Sequence, residues 1–427
     1  MNKKTEDKTK KAKSALITRT IIFALIVLAL CSTFFFKEKV ENLVNYNLNK
    51  NALSTEFDEN GLKAHFIDVG QGSAALIQFP TGETMIVDCG HYKSSSLDKF
   101  KDYLCKFNFK KENNEQVIDY LVLTHPDADH IGGATYVFEN YLVKNCYLPQ
   151  IYYYNTESPE DIPWAIPPSA PTCSDETYRK VITSLDNEVS SFGCQKVYAN
   201  EHIRIRSLSY NEESANSSSE MWAVNFFAPI TGKQYISKGE AITNEYSPII
   251  IVEYMGRKIM LTGDGSKKLE TDFISKAQEN GYAGFSETYF DVDILQIAHH
   301  GSKYSSSENF LNLVKPEYAI ISVGKNSYGH PSQEAIDRLN NAGVTTNSIY
   351  RTDNNGNILV GVSTVGKLSL VANHVQYTTY KLELWQIILI GVGASAIIIY
   401  SPYLIKFFNV KKKGGKRLKN NFSQILQ

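Results

Sequence analysis

Short runs of apolar residues broken by turn residues begin at residue 62, and they predict strands over 62–69, 74–79 and 84–87, separated by Gly70-Gln71-Gly72 and Pro80-Thr81-Gly82. The three read as a β-meander. Residues 96–107 have helical spacing, 117–124 is a continuous apolar strand, and 131–141 reads as a second helix, so the chain here runs strand, loop, helix. Further on, 248–261 and 292–298 are strand-like. A helix is predicted over 306–314, opened by a capping box of Ser305 with Glu308, and strands over 318–323 and 358–362. Residues 149–219 break the pattern. Pro163, Pro167, Pro168 and Pro171 and the serine-rich run 214–219 predict irregular insertions and a surface lid. Two sheets with helices outside account for the elements.

Two longer apolar runs flank this region. Residues 20–36 carry no charge over 17 positions and follow a basic tail, and residues 384–405 are 22 uncharged positions opened by Trp385 and closed by Tyr400, Tyr403 and Lys406. Both predict transmembrane helices, the first as a signal anchor, with a cleaved signal peptide as the alternative. The expected organisation is a basic tail over 1–19, a span over 20–36, an asparagine-rich stalk over 37–61, one domain over 62–373, a linker over 374–383, a span over 384–405 and a basic tail over 406–427. Lysine and arginine crowd the two tails, so the positive-inside rule puts both termini in the cytoplasm and the domain on the outer side of the cell membrane.

Charge changes the picture once the tails are set aside. The chain as a whole carries −1, but the segment between the tails holds 30 basic against 43 acidic residues, about −13. That is the opposite of the broad basic footprint of a protein that grips nucleic acid over its whole face, and it leaves room only for a local basic patch. Six cysteines are present, one in the first span. Outside it, Cys173 with Cys194, or Cys105 with Cys146, are candidate disulfides for an oxidising compartment, and five small buried thiols are the equal alternative.

The densest chemistry is Thr124-His125-Pro126-Asp127-Ala128-Asp129-His130-Ile131-Gly132-Gly133, four potential metal ligands within six residues at the end of a buried strand. Asp264, in Leu261-Thr262-Gly263-Asp264-Gly265, also ends an apolar strand, where an acid serves equally well to cap a turn. His299-His300-Gly301-Ser302 follows a strand too, and adjacent histidines point to different sides, so one of the pair is the candidate ligand. Tyr328-Gly329-His330-Pro331 is the weakest of the set. Five of the nine histidines fall in these motifs, whereas His65, His91, His202 and His374 read as ordinary.

In these motifs the sequence resembles the metallo-β-lactamase superfamily, whose first motif is His-x-His-x-Asp-His, with Asp127 here in place of the second histidine. That replacement is similar to the hydrolase domain of ComEC-type competence proteins. So are Phe66-Ile67-Asp68-Val69-Gly70-Gln71-Gly72-Ser73, Val87-Asp88-Cys89-Gly90, Asn244-Glu245-Tyr246-Ser247 and the motifs around Asp264, His300 and His330. The resemblance spans roughly residues 62–372. It implies a four-layer αββα sandwich flanked by the two transmembrane helices, with two divalent metal ions along one edge. His125, Asp127 and Asp264 are implied for one ion and Asp129, His130, Asp264 and His300 for the other, Asp264 bridging. The superfamily's third histidine of the first site has no counterpart, Asn244 and Ser247 standing in that region. One site is therefore oxygen-rich and admits Mn²⁺ beside Zn²⁺. Asp129 is also implied to orient the attacking water; by the position of their motifs alone, His299, His330 or Ser302 are the candidates to stabilise charge or protonate the leaving group.

The expected function is that of a membrane-anchored metal-dependent hydrolase, a phosphodiesterase or nuclease acting on phosphodiesters, single-stranded DNA among them, at the cell surface. The alternatives are hydrolysis of envelope phosphoesters, such as phosphocholine or teichoic-acid groups, and a degenerate metal-binding scaffold. ComEC-type proteins join this domain to a multi-span channel segment. With two spans expected here, the chain alone is not expected to form a translocation pore.

Overall fold

The computed structural model describes residues 57–153, 171–208, 221–237, 240–279 and 281–372, with a few isolated positions outside them. The two expected membrane spans, both tails, most of the stalk, and parts of the expected lid lie outside the described residues. No helix among the described residues is long and apolar enough to cross a membrane. The domain falls within the compact unit Asn49–Tyr377.

Two sheets form its frame. Strands β1 (Leu62–Phe66), β2 (Ala74–Gln78), β3 (Thr84–Cys89), β4 (Glu115–Val122), β5 (Leu142–Leu148) and β6 (Gln195–Tyr198) belong to the first. Strands β7 (Arg204–Arg206), β8 (Trp222–Phe226), β9 (Ile250–Tyr254), β10 (Arg257–Leu261), β11 (Ile294–Gln296), β12 (Tyr318–Ile321) and β13 (Ile349–Arg351) make the second in chain order. The chain then returns with β14 (Ile358–Val362) and β15 (Leu368–Ala372), so that the first sheet runs β15-β14-β1-β2-β3-β4-β5-β6. Each sheet is antiparallel at one side and parallel at the other: β3, β4, β5 and β6 are mutually parallel, as are β10, β11, β12 and β13.

Alternation along the strands sorts the core into layers. Leu62, Ala64 and Phe66 of β1, Ala75 and Ile77 of β2, and Ile250, Val252, Ile259 and Leu261 of β9 and β10 pack into one cluster drawn from both sheets. The intervening Leu76, Ile251 and Met260 pack with helices instead. Those helices include α1 (Ser94–Leu104), α2 (Ala128–Ile131), α3 (Ala134–Asn140), α4 (Glu176–Phe192), α5 (Lys267–Gln278), α6 (Glu308–Val314) and α7 (Gln333–Asn341). The arrangement is the expected α/β sandwich of the metallo-β-lactamase fold.

Several expectations need correction. The segment 149–219 is not irregular throughout: Asp175 accepts hydrogen bonds from the Thr177 and Tyr178 amides, α4 follows for 17 residues, and Gly193 ends it in the left-handed region. Averaging over prolines and serines hid a strong helix. The single strand expected over 248–261 is a hairpin, because Met255 and Gly256 both take positive φ and reverse the chain. The helix expected over 131–141 is split at Gly132-Gly133. The cap of α6 is Ser307, whose hydroxyl accepts from the Phe310 amide, not Ser305. Of the two cysteine readings, the structure has the buried thiols: Cys89, Cys105, Cys146, Cys173 and Cys194 are all buried and none is in a disulfide.

Candidate metal centre

The expected ligands stand on loops that leave the carboxyl ends of the parallel strands, where the open side of an α/β sheet collects ligand-binding groups. Asp88 ends β3, Thr124 and His125 follow β4, Asp264 follows β10, His299 and His300 follow β11, and Ser322 follows β12. Gly263 takes a φ of 51°, and a Cβ there would sit 2.9 Å from Ser247 Oγ and 3.0 Å from Thr124 Cβ, so the Asp264 loop closes onto the His125 loop only through glycine. On the far side the Ser73 amide donates to the Asp129 carbonyl at 3.0 Å. Gly72 permits that approach, since a Cβ there would meet the same carbonyl oxygen at 2.4 Å.

Three buried histidines are tied back through Nδ1. The His130 Nδ1–H donates to Asp88 Oδ2 at 2.6 Å, and that of His300 to the Ser322 carbonyl at 2.7 Å. The Thr124 hydroxyl donates to Asp88 at 2.8 Å, which leaves its oxygen to accept from His125 Nδ1 at 3.0 Å. Fixing the proton on Nδ1 leaves an Nε2 lone pair on each ring, the tautomer a metal ligand needs. The three Nε2 atoms face the Asp264 carboxylate, which lies 3.1 Å from His130, 3.6 Å from His300 and 3.9 Å from His125. His130 Nε2 and His300 Nε2 are 3.4 Å apart, and His125 Nε2 is buried with no hydrogen-bond partner. Converging lone pairs beside an orphaned nitrogen and a buried carboxylate are a poor set of neighbours for one another and a good donor set for a divalent cation. Among the described residues two ligand groups result, His125 with His130 and Asp264, and Asp129 with His130 and His300.

Electrostatics follow from the packing. Burial alone would raise the Asp264 carboxyl, but His130 and His300 hold it well below the ordinary range. Burial works against the charged form of His130 and His300, yet Asp264, with Asp88 for the first and Asp129 for the second, pushes both upward. Asp129 is lowered against its own burial by the histidines it faces. His299 and His330 go the other way, burial holding both below the usual histidine value.

The outer expected residues divide. Asp127 Oδ2 lies 3.7 Å from His125 Nε2, and its other oxygen accepts from the Thr243 hydroxyl at 2.9 Å. His299 stands at the mouth, its Nε2 3.8 Å from Asp264 and its Nδ1 accepting from Asn244 Nδ2 at 3.3 Å. The His330 ring is 5.6 Å from that of His299. Ser302 is buried and its hydroxyl accepts from the Tyr304 amide, which puts it behind the histidine loop, out of reach of solvent. The region that lacks the third superfamily histidine is held by oxygen: Ser247 Oγ lies 3.4 Å from His125 Nδ1 and accepts from the Asp264 amide at 3.1 Å. No role for Asp88, Thr124, Thr243 or Ser322 was legible in the sequence. Asp88 at the end of an apolar strand was its one available signal. His65 is an ordinary core histidine as expected, bonded to Tyr103 at 2.9 Å and Gln78 at 3.0 Å.

Residues 67–194 match the metallo-beta-lactamase superfamily. The chain is 26% identical over 302 residues to ComE operon protein 3 of Bacillus subtilis (strain 168), covering 68% of this chain and 32% of that protein. It is 26% identical over 277 residues to Recombination protein 2 of Haemophilus influenzae, covering 64% and 26%. With Competence protein ComA of Neisseria gonorrhoeae it shares 34% identity over 124 residues, 29% of this chain and 16% of that one. The matched segments span about a third or less of the length of these relatives.

Proposed function

The chain carries a metallo-β-lactamase superfamily domain similar to that of ComEC-type competence proteins, and from that premise we propose that it is a membrane-anchored, extracytoplasmic phosphodiesterase that cleaves single-stranded nucleic acid. The observation that carries this reading is the convergence of three Nδ1-tethered histidines on Asp264, a donor set for divalent metal. Two ions, Zn²⁺ or Mn²⁺, are assigned to His125, Asp127 and Asp264, and to Asp129, His130, Asp264 and His300. When bound, a divalent ion supplies Lewis-acid activation of water and of the ester oxygens. The protein's own groups do the rest. Asp88, Thr124 and Ser322 hold the three rings in register. Asp129, partly exposed at the mouth, accepts a hydrogen bond from the attacking water and orients it. Asn244 donates to His299 Nδ1, which leaves Nε2 to carry the ring's proton, and from the mouth of the site that N–H can hydrogen-bond the departing oxygen as negative charge develops on it.

The apolar runs 20–36 and 384–405 support the anchoring and the outer location of the domain. Resistance of the full chain to extraction from membranes at alkaline pH, with the domain open to protease added outside the cell, tests both. A freely soluble or protease-shielded domain would contradict them. The domain charge of about −13 favours a second reading, hydrolysis of small envelope phosphoesters, which need few contacts. Turnover of bis-p-nitrophenyl phosphate and of a single-stranded oligonucleotide by the full chain, with Mn²⁺ or Zn²⁺ and beside Asp129→Ala, separates them. Activity on both, lost in the variant, is the expected result; cleavage of the small diester alone would shift the assignment to envelope esters.

A further inference from the structure

The three most exposed tyrosines of the described domain, Tyr92 at 52%, Tyr304 at 63% and Tyr328 at 75%, all stand on loops of the metal centre. Tyr92 follows His91, with the two rings 4.3 Å apart, and the adjoining Gly90 bridges to Ile131 beside His130. The backbone of Tyr304 ties the His300 loop to the start of α5 just after Asp264, its carbonyl accepting from the Lys267 amide at 3.0 Å. Tyr328 stacks on His330 at 5.9 Å and 25°, and His330 in turn meets His299. Three large half-exposed rings around one buried charged centre are unlike the isolated surface apolar residues any protein carries.

Each of these tyrosines has a lysine within three residues: Lys93, Lys303 and Lys325, all exposed. None forms an ion pair among the described residues, although acids outnumber bases in the domain. The Lys303 ammonium lies 5.2 Å from the Tyr304 ring. Exposed rings interleaved with free lysines are what a flexible polyanion with accessible aromatic faces requires: bases stack on the rings while ammonium groups meet the flanking phosphates. A duplex hides its base faces. A quaternary ammonium ester would use the rings as a cage, but lysines beside each ring repel it.

We infer that Tyr92, Tyr304 and Tyr328, with Lys93, Lys303 and Lys325, form a stacking rim that grips the nucleotides on either side of the scissile phosphate of a single strand. This rests on the phosphodiesterase reading and names its specificity determinants. The rim reconciles an acidic domain with a polyanionic substrate by confining the positive charge to the mouth of the site.

The test uses the full chain in neutral detergent, a fluorescein-labelled oligothymidylate, bis-p-nitrophenyl phosphate and p-nitrophenylphosphorylcholine. Changing Tyr92 and Tyr328 together to Ala is expected to weaken oligonucleotide binding, read by fluorescence anisotropy, roughly ten-fold or more. The same change lowers the oligonucleotide-to-diester ratio of kcat/KM through KM, and Phe at both positions restores it. Binding of the wild type should fall with salt with a log–log slope of about −2, for three lysines on a single strand, and more gently in Lys93→Gln/Lys325→Gln. Equal oligonucleotide affinity in the Ala variant and wild type overturns the rim, as does a loss confined to the phosphorylcholine ester. Anisotropy needs no turnover. Failure of the small diester to react therefore refutes the catalytic reading, while the rim stands or falls on binding.

Discussion

Asp88 sits in the left-handed backbone region, at φ 58°, which aspartate tolerates better than most residues. From there one oxygen accepts the Thr124 amide at 2.9 Å while the other accepts both the Thr124 hydroxyl and His130 Nδ1. It touches no substrate, so it is a positioning residue. Asp88→Asn replaces one acceptor with a donor against a ring that must donate, and metal affinity is expected to fall about 10- to 100-fold, read by competition with a chromophoric chelator; unchanged affinity would deny Asp88 that role. His299 and His300 occupy consecutive left-handed positions, at φ 52° and 54°, a conformation costing about 1–3 kcal/mol each that tends to gather at functional sites. At this scale the sequence displayed the residues that contact the metal region, because His125, Asp127, Asp129 and His130 are neighbours in the chain. It concealed those that aim them. Asp88 lies 42 positions from His130, and the partner of His300 is a backbone carbonyl, which no side-chain pattern reports.

Strand ends and the turns between them decide whether the loops meet. Gly263 is the point where the β10 loop closes onto that of β4, and Gly263→Ala adds a methyl group at 2.9–3.0 Å from two neighbours in a positive-φ position. A loss of about 1–3 kcal/mol in thermal or denaturant unfolding is expected, together with weaker metal binding, because Asp264 is the next residue; unaltered stability would show that the loops have slack. His65 couples β1 to β2 and α1 through Gln78 and Tyr103, and burial holds it down to about 3. The unfolded chain binds its proton near pH 6.5 and the folded one near 3, so between those values the unfolded state holds more protons and acid favours unfolding. Stability conferred by the neutral ring is complete above pH 6.5 and declines by about 1.4 kcal/mol per unit as pH falls toward 3. His65→Gln is expected to flatten that limb of a Tm-against-pH curve, and an identical limb would exclude His65 as its source. Alternation and apolar runs made β1, β2, β3, β4 and β14 legible. Helix α4 was not, because its amphipathic 17 residues lie inside a stretch whose prolines and serines suggest a loop, and the β9–β10 hairpin was read as one strand because its turn uses Met255-Gly256 without proline or asparagine.

Across the whole molecule, two sheets each place the carboxyl ends of their parallel strands at one edge, and the donors from β4, β10 and β11 meet there. The sandwich, the edge location and the family were readable from the motifs and their order, because each motif follows a strand. The grouping of donors was not, since His130 joins both ligand groups of the structure while Asp264 faces all three histidines. An acidic body with lysines held at the mouth fits a substrate drawn to the site and not to the rest of the surface. The central claim is that this cluster is a hydrolytic metal centre. Metal-stripped full chain, dialysed against Mn²⁺ or Zn²⁺, should retain divalent metal by elemental analysis and recover hydrolysis of bis-p-nitrophenyl phosphate, with Asp264→Asn doing neither. Full hydrolysis without metal, or no metal retained by the unaltered chain, would contradict the account.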